Sequence, residues 1–475
     1  MPAFTLPARA MGDPRPRHEA DPSGHIRALG LLAVPLCLMR RRLRAILALA
    51  APTALVSLLQ VAAQLFETWL AARGGTTALA GWAAVLPFAL LMQMTSAGAM
   101  GGGVSAAVAR ALGAGRREEA AALVAHAAII AFAAAAIFAL PFLAAPRTIL
   151  GWVGGAAAAE AAAPYAMWLF GAGAVPAWLA NTLASVLRGG GRHALAARVL
   201  VLAWAGYPPL AWTLAEPFGM GLAGIGAGFA AVFWIAAGAM GWVVLRGGAG
   251  FAPTLRAAPS RAMFDRILSV GLVACALAVV ANLTTICVTA NLAPHGQAVV
   301  AAYGISARLE FLMIPLAFGI GSALTALVGR AVGAGDWAEA RRIAWTGGAL
   351  ACVLAGACGL AIALFPLHFA RAFTADPAVA EVAARALRII GPAYALFGLG
   401  MALYFASQGA GRMRAPVFAA LSRFGLAVGG GAILATPFGL EGQFAAVALG
   451  IAAYGLVTAA GVRAGVWRAP PRDAT

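Results

Sequence analysis

Not one lysine occurs among the 475 residues; all 33 basic side chains are arginine. A phosphate-binding P-loop needs a lysine that reaches the nucleotide phosphates, so this chain alone is not an ATP-driven pump. Acids are scarce as well: 16 Asp and Glu stand against 33 Arg, a net charge of +17. The five cysteines, Cys37, Cys275, Cys287, Cys352 and Cys358, lie in apolar stretches without a C-x-x-C pair. That pattern argues against a disulfide framework or a zinc site and leaves them as small hydrophobes. Neither G-x-S-x-G nor H-E-x-x-H occurs. No catalytic residue, metal set or cofactor is therefore expected, and the chain reads as a non-enzyme.

What fills the sequence is apolar: 63% hydrophobic residues and 10% charged, with a mean hydropathy of +0.88. A soluble domain of this length cannot hide so much apolar surface. The excess positive charge is accordingly read as loop charge on a membrane protein, with lipid and no nucleic acid as partner. A spanning helix needs ~20 mainly apolar residues. Such runs predict twelve helices, near Ile46–Ala71, Leu79–Val108, Ala121–Ala145, Ala163–Leu187, Leu195–Ala215, Gly221–Leu245, Arg266–Asn291, Val299–Leu327, Ile343–Pro366, Ala386–Gln408, Ala415–Thr436 and Gly442–Val462. Helices are required because lipid offers no partner to an unpaired backbone group.

Arginine placement orients this map, since cytoplasmic loops collect basic residues. Arg40, Arg41, Arg42 and Arg44 precede the first helix; Arg110, Arg116 and Arg117 follow the second, Arg188 and Arg192 the fourth, Arg246, Arg256 and Arg261 the sixth. The alternation continues with Arg330, Arg341 and Arg342, then Arg412 and Arg414, then Arg463 and Arg468. Both termini are expected in the cytoplasm, with the protein in the cell (inner) membrane. Residues 1–43 form a Pro- and Arg-rich extension, read as disordered or interfacial. Residues 44–247 are the N-lobe, 248–265 a linker, 266–465 the C-lobe and 466–475 a tail.

The lobes repeat. GVSAAVARALGAGRREEA, from Gly103, aligns without gaps with ALTALVGRAVGAGDWAEA, from Ala323, matching at nine of eighteen positions. At the same offset of 220, Gly189, Gly191 and Arg192 fall on Gly409, Gly411 and Arg412. Duplication explains two segments agreeing at one offset. Six helices return a chain to its starting side, so the lobes are parallel repeats about an axis along the membrane normal, with substrate expected between them. The Gly-Ala-Gly turns end helices, and the arginines before them complement those helices' C-termini.

Of the sixteen acids, only Glu67 and Glu310 fall inside helices on this map. A charge at a helix centre costs ~2.5 to 3.5 kcal/mol even on the lenient insertion scale, so neither faces lipid. A carboxyl group shut away from water can trade a proton near neutral pH, which makes these two the candidate ion-coupling residues. Gln60, Gln64 and Glu67 share one face of the first helix. Pairing with Arg73 is the structural alternative for Glu67; for Glu310 it is an ion pair with a neighbouring helix. Asn282, Thr285 and Thr289 form a second polar stripe, and Gln93, Asn181 and Gln408 are further intramembrane amides. All are candidate pathway residues, with helix-to-helix hydrogen bonding the alternative. Arg198 and Arg423 lie near helix ends and are expected to snorkel.

The stretches FETWLAARGGTTALAG, MQMTSAGAMGGGVSAAVARALGAGRREEA and YGISARLEFLMIPLAFGIGSALTALVGRAVGAG, with the two Gly-rich turns, resemble the multidrug and toxic compound extrusion transporters, over roughly Arg44 to Arg463. The resemblance implies two six-helix lobes, a central cavity opening alternately to each side, and export of organic cations or amphipathic drugs against inward H⁺ or Na⁺. It aligns Glu67 with the family's first-helix acid. Other acids of the family are missing: its fifth-helix Asn and Asp pair falls near Trp204 and Pro208, its seventh-helix acid near Ala281 or Asn282, and the tenth helix has none. A sodium site built from several oxygens is harder to assemble from what remains, which favours H⁺. The expectation is a monomeric secondary antiporter with small-molecule substrates. A flippase for lipid-linked saccharides is the alternative within this architecture, but it wants several cavity bases and Arg308 is the main one. A membrane-embedded enzyme or receptor finds no motif.

Overall fold

The computed structural model describes residues 22–254, 258–464 and 467. Of the described residues, those before Leu43 and those from Leu43 onward form separate units. No strand occurs among the described residues, and helices follow one another with short breaks: α1 (Pro22–Arg73), α2 (Thr76–Gly113), α3 (Arg117–Ala144), α4 (Pro146–Ala172 continued by Ala174–Gly189), α5 (His193–Ala215), α6 (Leu222–Leu245), α7 (Arg261–Leu292), α8 (Gln297–Gly333), α9 (Trp337–Leu364) and α10 (Pro377–Ala410). A short helix, Pro366–Arg371, precedes α10.

Among the described residues, ten stretches are long and apolar enough to cross a membrane, and α4, bent by 43°, is an eleventh. One of the ten, Arg414–Arg463, has 50 residues, ~75 Å at 1.5 Å per residue, more than twice a hydrocarbon core. It folds back on itself at Gly439 (φ 57°, ψ −137°). A Cβ added to Gly450 would lie 2.9 Å from the Arg423 carbonyl and 3.2 Å from Ala427, so the two arms pack antiparallel. Residues 414–438 and 440–463 are therefore two crossings, α11 and α12, and the expected twelve are complete. Only glycine takes that backbone conformation freely.

The duplication is visible in the backbone. Gly221, between α5 and α6, has nearly the torsions of Gly439, φ 54° and ψ −132°. Gly115 and Gly335 (φ 75° and 80°) and Gly191 and Gly411 (φ 78° and 68°) recur at the 220-residue offset. Apolar cores fill both lobes, and Ile46 and Ala50 of α1 pack into the C-lobe beside Leu324 and Val328.

Two expectations change. Residues from Pro22 onward are helical, so the extension is not disordered there; residues 1–21 lie outside the described residues. The arginines before the Gly-Ala-Gly turns do not cap their own helices but reach across to the other lobe. Arg110, on α2, donates through Nη1 to the carbonyls of Gln408 (3.2 Å) and Gly409 (3.0 Å) and through Nη2 to that of Arg266 (3.2 Å). Arg330, its counterpart on α8, lies against Gly191 of the N-lobe. The exchange arises because α2 and α8 touch at Gly113 and Gly333, where an added Cβ would run into the facing backbone carbonyls of Arg330 and Arg110. Each guanidinium is thereby carried past its own helix end to the opposite lobe, Arg110 onto the last carbonyls of α10 and Arg330 against the Gly191 turn. The lobes are latched at their arginine-rich end.

Candidate functional site

Glu67 sits in the N-lobe at the meeting of four helices. Its Oε1 accepts from the indole N–H of Trp82 on α2 (3.0 Å) and from the hydroxyl of Tyr165 on α4. Tyr207, on α5 and 1% exposed, brings its hydroxyl within electrostatic range of the same carboxyl group but outside hydrogen-bond geometry. Periodicity places these groups. On α2, Trp82, Leu86, Ala89 and Gln93 follow at spacings of four, three and four, one face of a helix; on α1, Gln64 and Glu67 do the same. Together with Leu90, Met92, Leu169, Trp204 and Phe229 they line a small cavity.

A polar shelf adjoins it. The amide of Asn181 on α4 donates to Gln93 Oε1 (3.2 Å) and to Ser96 Oγ (2.9 Å). A π-helical turn over Met94–Met100 begins between these two acceptors. Extra residues of this kind re-aim side chains within a helix and concentrate at functional sites.

Gln64, Glu67, Gln93 and Asn181 are thus gathered in one place, while the other candidates are not. Gln60 lies one turn from Gln64 and outside the cavity lining. Asn282 bonds its own helix at the Ala278 carbonyl (2.9 Å) and faces Met94 of the N-lobe through Sδ at 3.9 Å. Thr285 and Thr289 bond carbonyls one turn back in their own helix (3.4 and 2.8 Å), not a neighbouring helix. Gln408 is fully buried where its amide meets Gly102 of the other lobe.

The charged partners also differ from the nearest-in-sequence choices. Arg73 pairs with Glu216 at 2.8 Å and not with Glu67; its hydrogen bond holds the Glu216 carboxyl below the usual carboxylate range. Glu67 therefore has no cationic neighbour within ion-pair distance among the described residues. Glu310 does: Arg423 of α11 meets it at 2.5 Å, with side chains 15% and 11% exposed. Arg423 does not snorkel, because this carboxylate and the Phe397 ring (5.5 Å) hold it inside the C-lobe. The expected acid is matched by three residues that the sequence reading missed, Trp82, Tyr165 and Tyr207. Their signal was weak: aromatic rings with an N–H or O–H in apolar helices, one of them beside the positions where the family's polar pair falls.

The sequence pattern of the MatE family matches twice, over residues 52–213 and 272–433, again at an offset of 220. Several solved structures share the fold. A MOP superfamily transporter from Pyrococcus furiosus, whose description speaks of reversed polarity in its binding pocket, is 22% identical with a TM-score of 0.83, covering 89% of this chain and 95% of that one. An outward-facing multidrug resistance MATE transporter is 22% identical with a TM-score of 0.82, at the same coverage. The Vibrio cholerae MATE transporter VcmN in its bent form is 19% identical with a TM-score of 0.82, covering 90% of this chain and 98% of that chain. No curated protein sequence matches.

Proposed function

The chain belongs to the MatE family of membrane transporters, and from that premise we propose that it is a secondary antiporter exporting amphipathic organic compounds in exchange for inward H⁺, with Glu67 as the proton-carrying group. The observation that carries the reading is the Glu67 pocket: an intramembrane carboxyl group without a counter-cation, held by donors alone and open to a cavity. A carboxylate accepts from Trp82 and Tyr165 together. Protonation at Oε2 leaves Oε1 able to accept both bonds but removes the charge that strengthens them and adds a donor to be placed, so the hold of α2 and α4 on α1, which carries Glu67, loosens. Proton occupancy is thereby tied to helix position, and helix position to access from either side.

The donor set speaks for H⁺. An indole N–H cannot ligate a cation, and a hydroxyl that donates to Glu67 turns its hydrogen toward the place a sodium ion would occupy. Glu310 is occupied by Arg423 and acts as scaffold in this reading. A membrane potential of ~100 mV contributes ~2.3 kcal/mol per inward proton, roughly fiftyfold accumulation. Loops bearing arginine face the cytoplasm in this account, as do both termini, and the protein works as a monomer in the inner membrane. The latched arginine-rich end then makes the present state closed to the cytoplasm.

Transport in proteoliposomes with H⁺ and Na⁺ gradients imposed separately tests the proposal. Substrate movement is expected to follow the pH gradient with sodium absent; movement that follows only the sodium gradient contradicts it.

A further inference from the structure

Arg308 stands in the first half of α8 (Gln297–Gly333), ahead of the interior Pro315. Its side chain is exposed, and no carboxylate lies within ion-pair distance of it among the described residues. Glu310, two residues on, is already bound to Arg423. A bare guanidinium at this depth is too costly to face lipid, and the helix geometry says where it faces instead.

Farther along α8, Phe318 touches Gly98 of α2, and Gly319 meets Ala50 and Ala54 of α1. These contacts define the face of α8 that looks at the N-lobe. Arg308 precedes Gly319 by eleven residues, just over three whole turns, and the exposed Leu312 and Leu316 carry the same face past Pro315, so Arg308 lies on it ~16 Å farther from the latched end. Phe311 (39% exposed) flanks the stripe. On the facing helix, Leu58 (56% exposed) and Leu65 (67%) continue the line of Ala54 at helical spacing. Helix faces that are pressed together at Gly319 are thus exposed at Arg308: the lobes part there, and the cleft between them has apolar walls with one cation set into them. Both intramembrane acids turn away from it, Glu67 into its N-lobe pocket and Glu310 onto Arg423.

We infer that the inter-lobe cleft selects amphipathic anions, organic molecules with an apolar body and one carboxylate or sulfonate group, and that Arg308 is the residue that recognises the charge. The inference rests on the reading of this cleft as a transport path and replaces the organic cations expected from family resemblance. A cationic drug entering the cleft meets like charge with no acid to offset it. An amphipathic anion gains a charge-assisted, bidentate pair with the guanidinium while its body lies along Leu58, Leu65 and Phe311. A single guanidinium suits one acidic group on a soluble amphipath; a lipid-linked diphosphate calls for more.

The test is equilibrium binding to the detergent-solubilised full chain, with radiolabelled taurocholate as the anionic probe and tetraphenylphosphonium as the cationic one. Wild type is expected to bind taurocholate in preference, and Arg308→Gln to weaken it at least tenfold. Arg308→Lys, which keeps the charge but not the fork, should recover part of the loss. Preference for tetraphenylphosphonium, or taurocholate binding that is the same in wild type and Arg308→Gln, no binding included, overturns the inference. Displacement of taurocholate by phosphatidylglycerol at an equal mole fraction in the micelle would assign the guanidinium to lipid and overturn it too. No gradient exists in this assay, so its failure is separable from failure of proton coupling, which the proteoliposome experiment reads.

Discussion

Removing the Arg110 guanidinium should open the arginine-rich end. Its three hydrogen bonds, at 3.0 to 3.2 Å, all end on backbone carbonyls of the C-lobe. A hydrogen bond to a charged group contributes ~1.5 to 3 kcal/mol where water is excluded. Parting the lobes lets water replace all three, so the lower figure halved, ~0.7 kcal/mol each, is the safer guide and gives ~2 kcal/mol in total. At 1.4 kcal/mol per factor of ten, Arg110→Ala shifts the closed-to-open ratio by roughly thirtyfold. Ala99 provides the readout, since it belongs to α2 yet is buried among C-lobe residues at 3% exposure. In a chain with its five cysteines replaced, Ala99→Cys is labelled by an impermeant maleimide added from the arginine-rich side. Labelling is expected to accelerate at least tenfold in Arg110→Ala, and further when Arg330→Ala is added. A rate within twofold of the parent, in protein that remains folded, would refute the latch.

Other outcomes follow from the same contacts. Gly333→Ala places a methyl group against the Arg110 carbonyl; overpacking of this kind costs ~1 to 3 kcal/mol, and the cysteine assay should report the same opening with the guanidinium intact. Glu310→Gln leaves Arg423 charged and buried, a loss of ~3 to 5 kcal/mol; the melting temperature in detergent should fall by several degrees, while transport by surviving protein still follows the pH gradient. Tyr165→Phe removes a donor from Glu67, whereas Tyr207→Phe removes a hydroxyl outside bonding geometry. Proton-driven transport at a fixed gradient should drop about tenfold or more in the first, from the loss of one charge-assisted bond, and several-fold less in the second.

The sequence carried the scaffold because the scaffold is local and repeated. Apolar runs of spanning length, glycines at the turns and a constant 220-residue offset are each readable within a few dozen residues, and even the hairpin at Gly439 falls between two predicted helices. Glu67 was legible for a different reason: an acid in an apolar helix is costly enough to be conspicuous alone. What stayed hidden depends on neighbours far along the chain. Trp82, Tyr165 and Tyr207 look like ordinary core aromatics until four helices bring them to one carboxyl group. Arg423 seemed close enough to a helix end to reach water, and its acid is 113 positions away. Arg110 lies at the end of its own helix, so the local reading chose that helix; only the contact between Gly113 and Gly333 sends it to the opposite lobe. In the polar stripe of Asn282, Thr285 and Thr289 the bonds to their own helix are as local as the spacing that revealed the stripe, and threonines that bond a ligand have that spacing too.

Glu67→Gln is the most direct test of the coupling claim. Glutamine keeps the size of the side chain and an acceptor for Trp82 and Tyr165 but cannot exchange a proton. Proteoliposomes loaded with labelled substrate should show, for this variant, substrate exchange without a gradient at close to the wild-type rate and no accumulation when a pH gradient is imposed. Accumulation at the wild-type level in Glu67→Gln would contradict the account at its centre, since the proton would then be carried by another group.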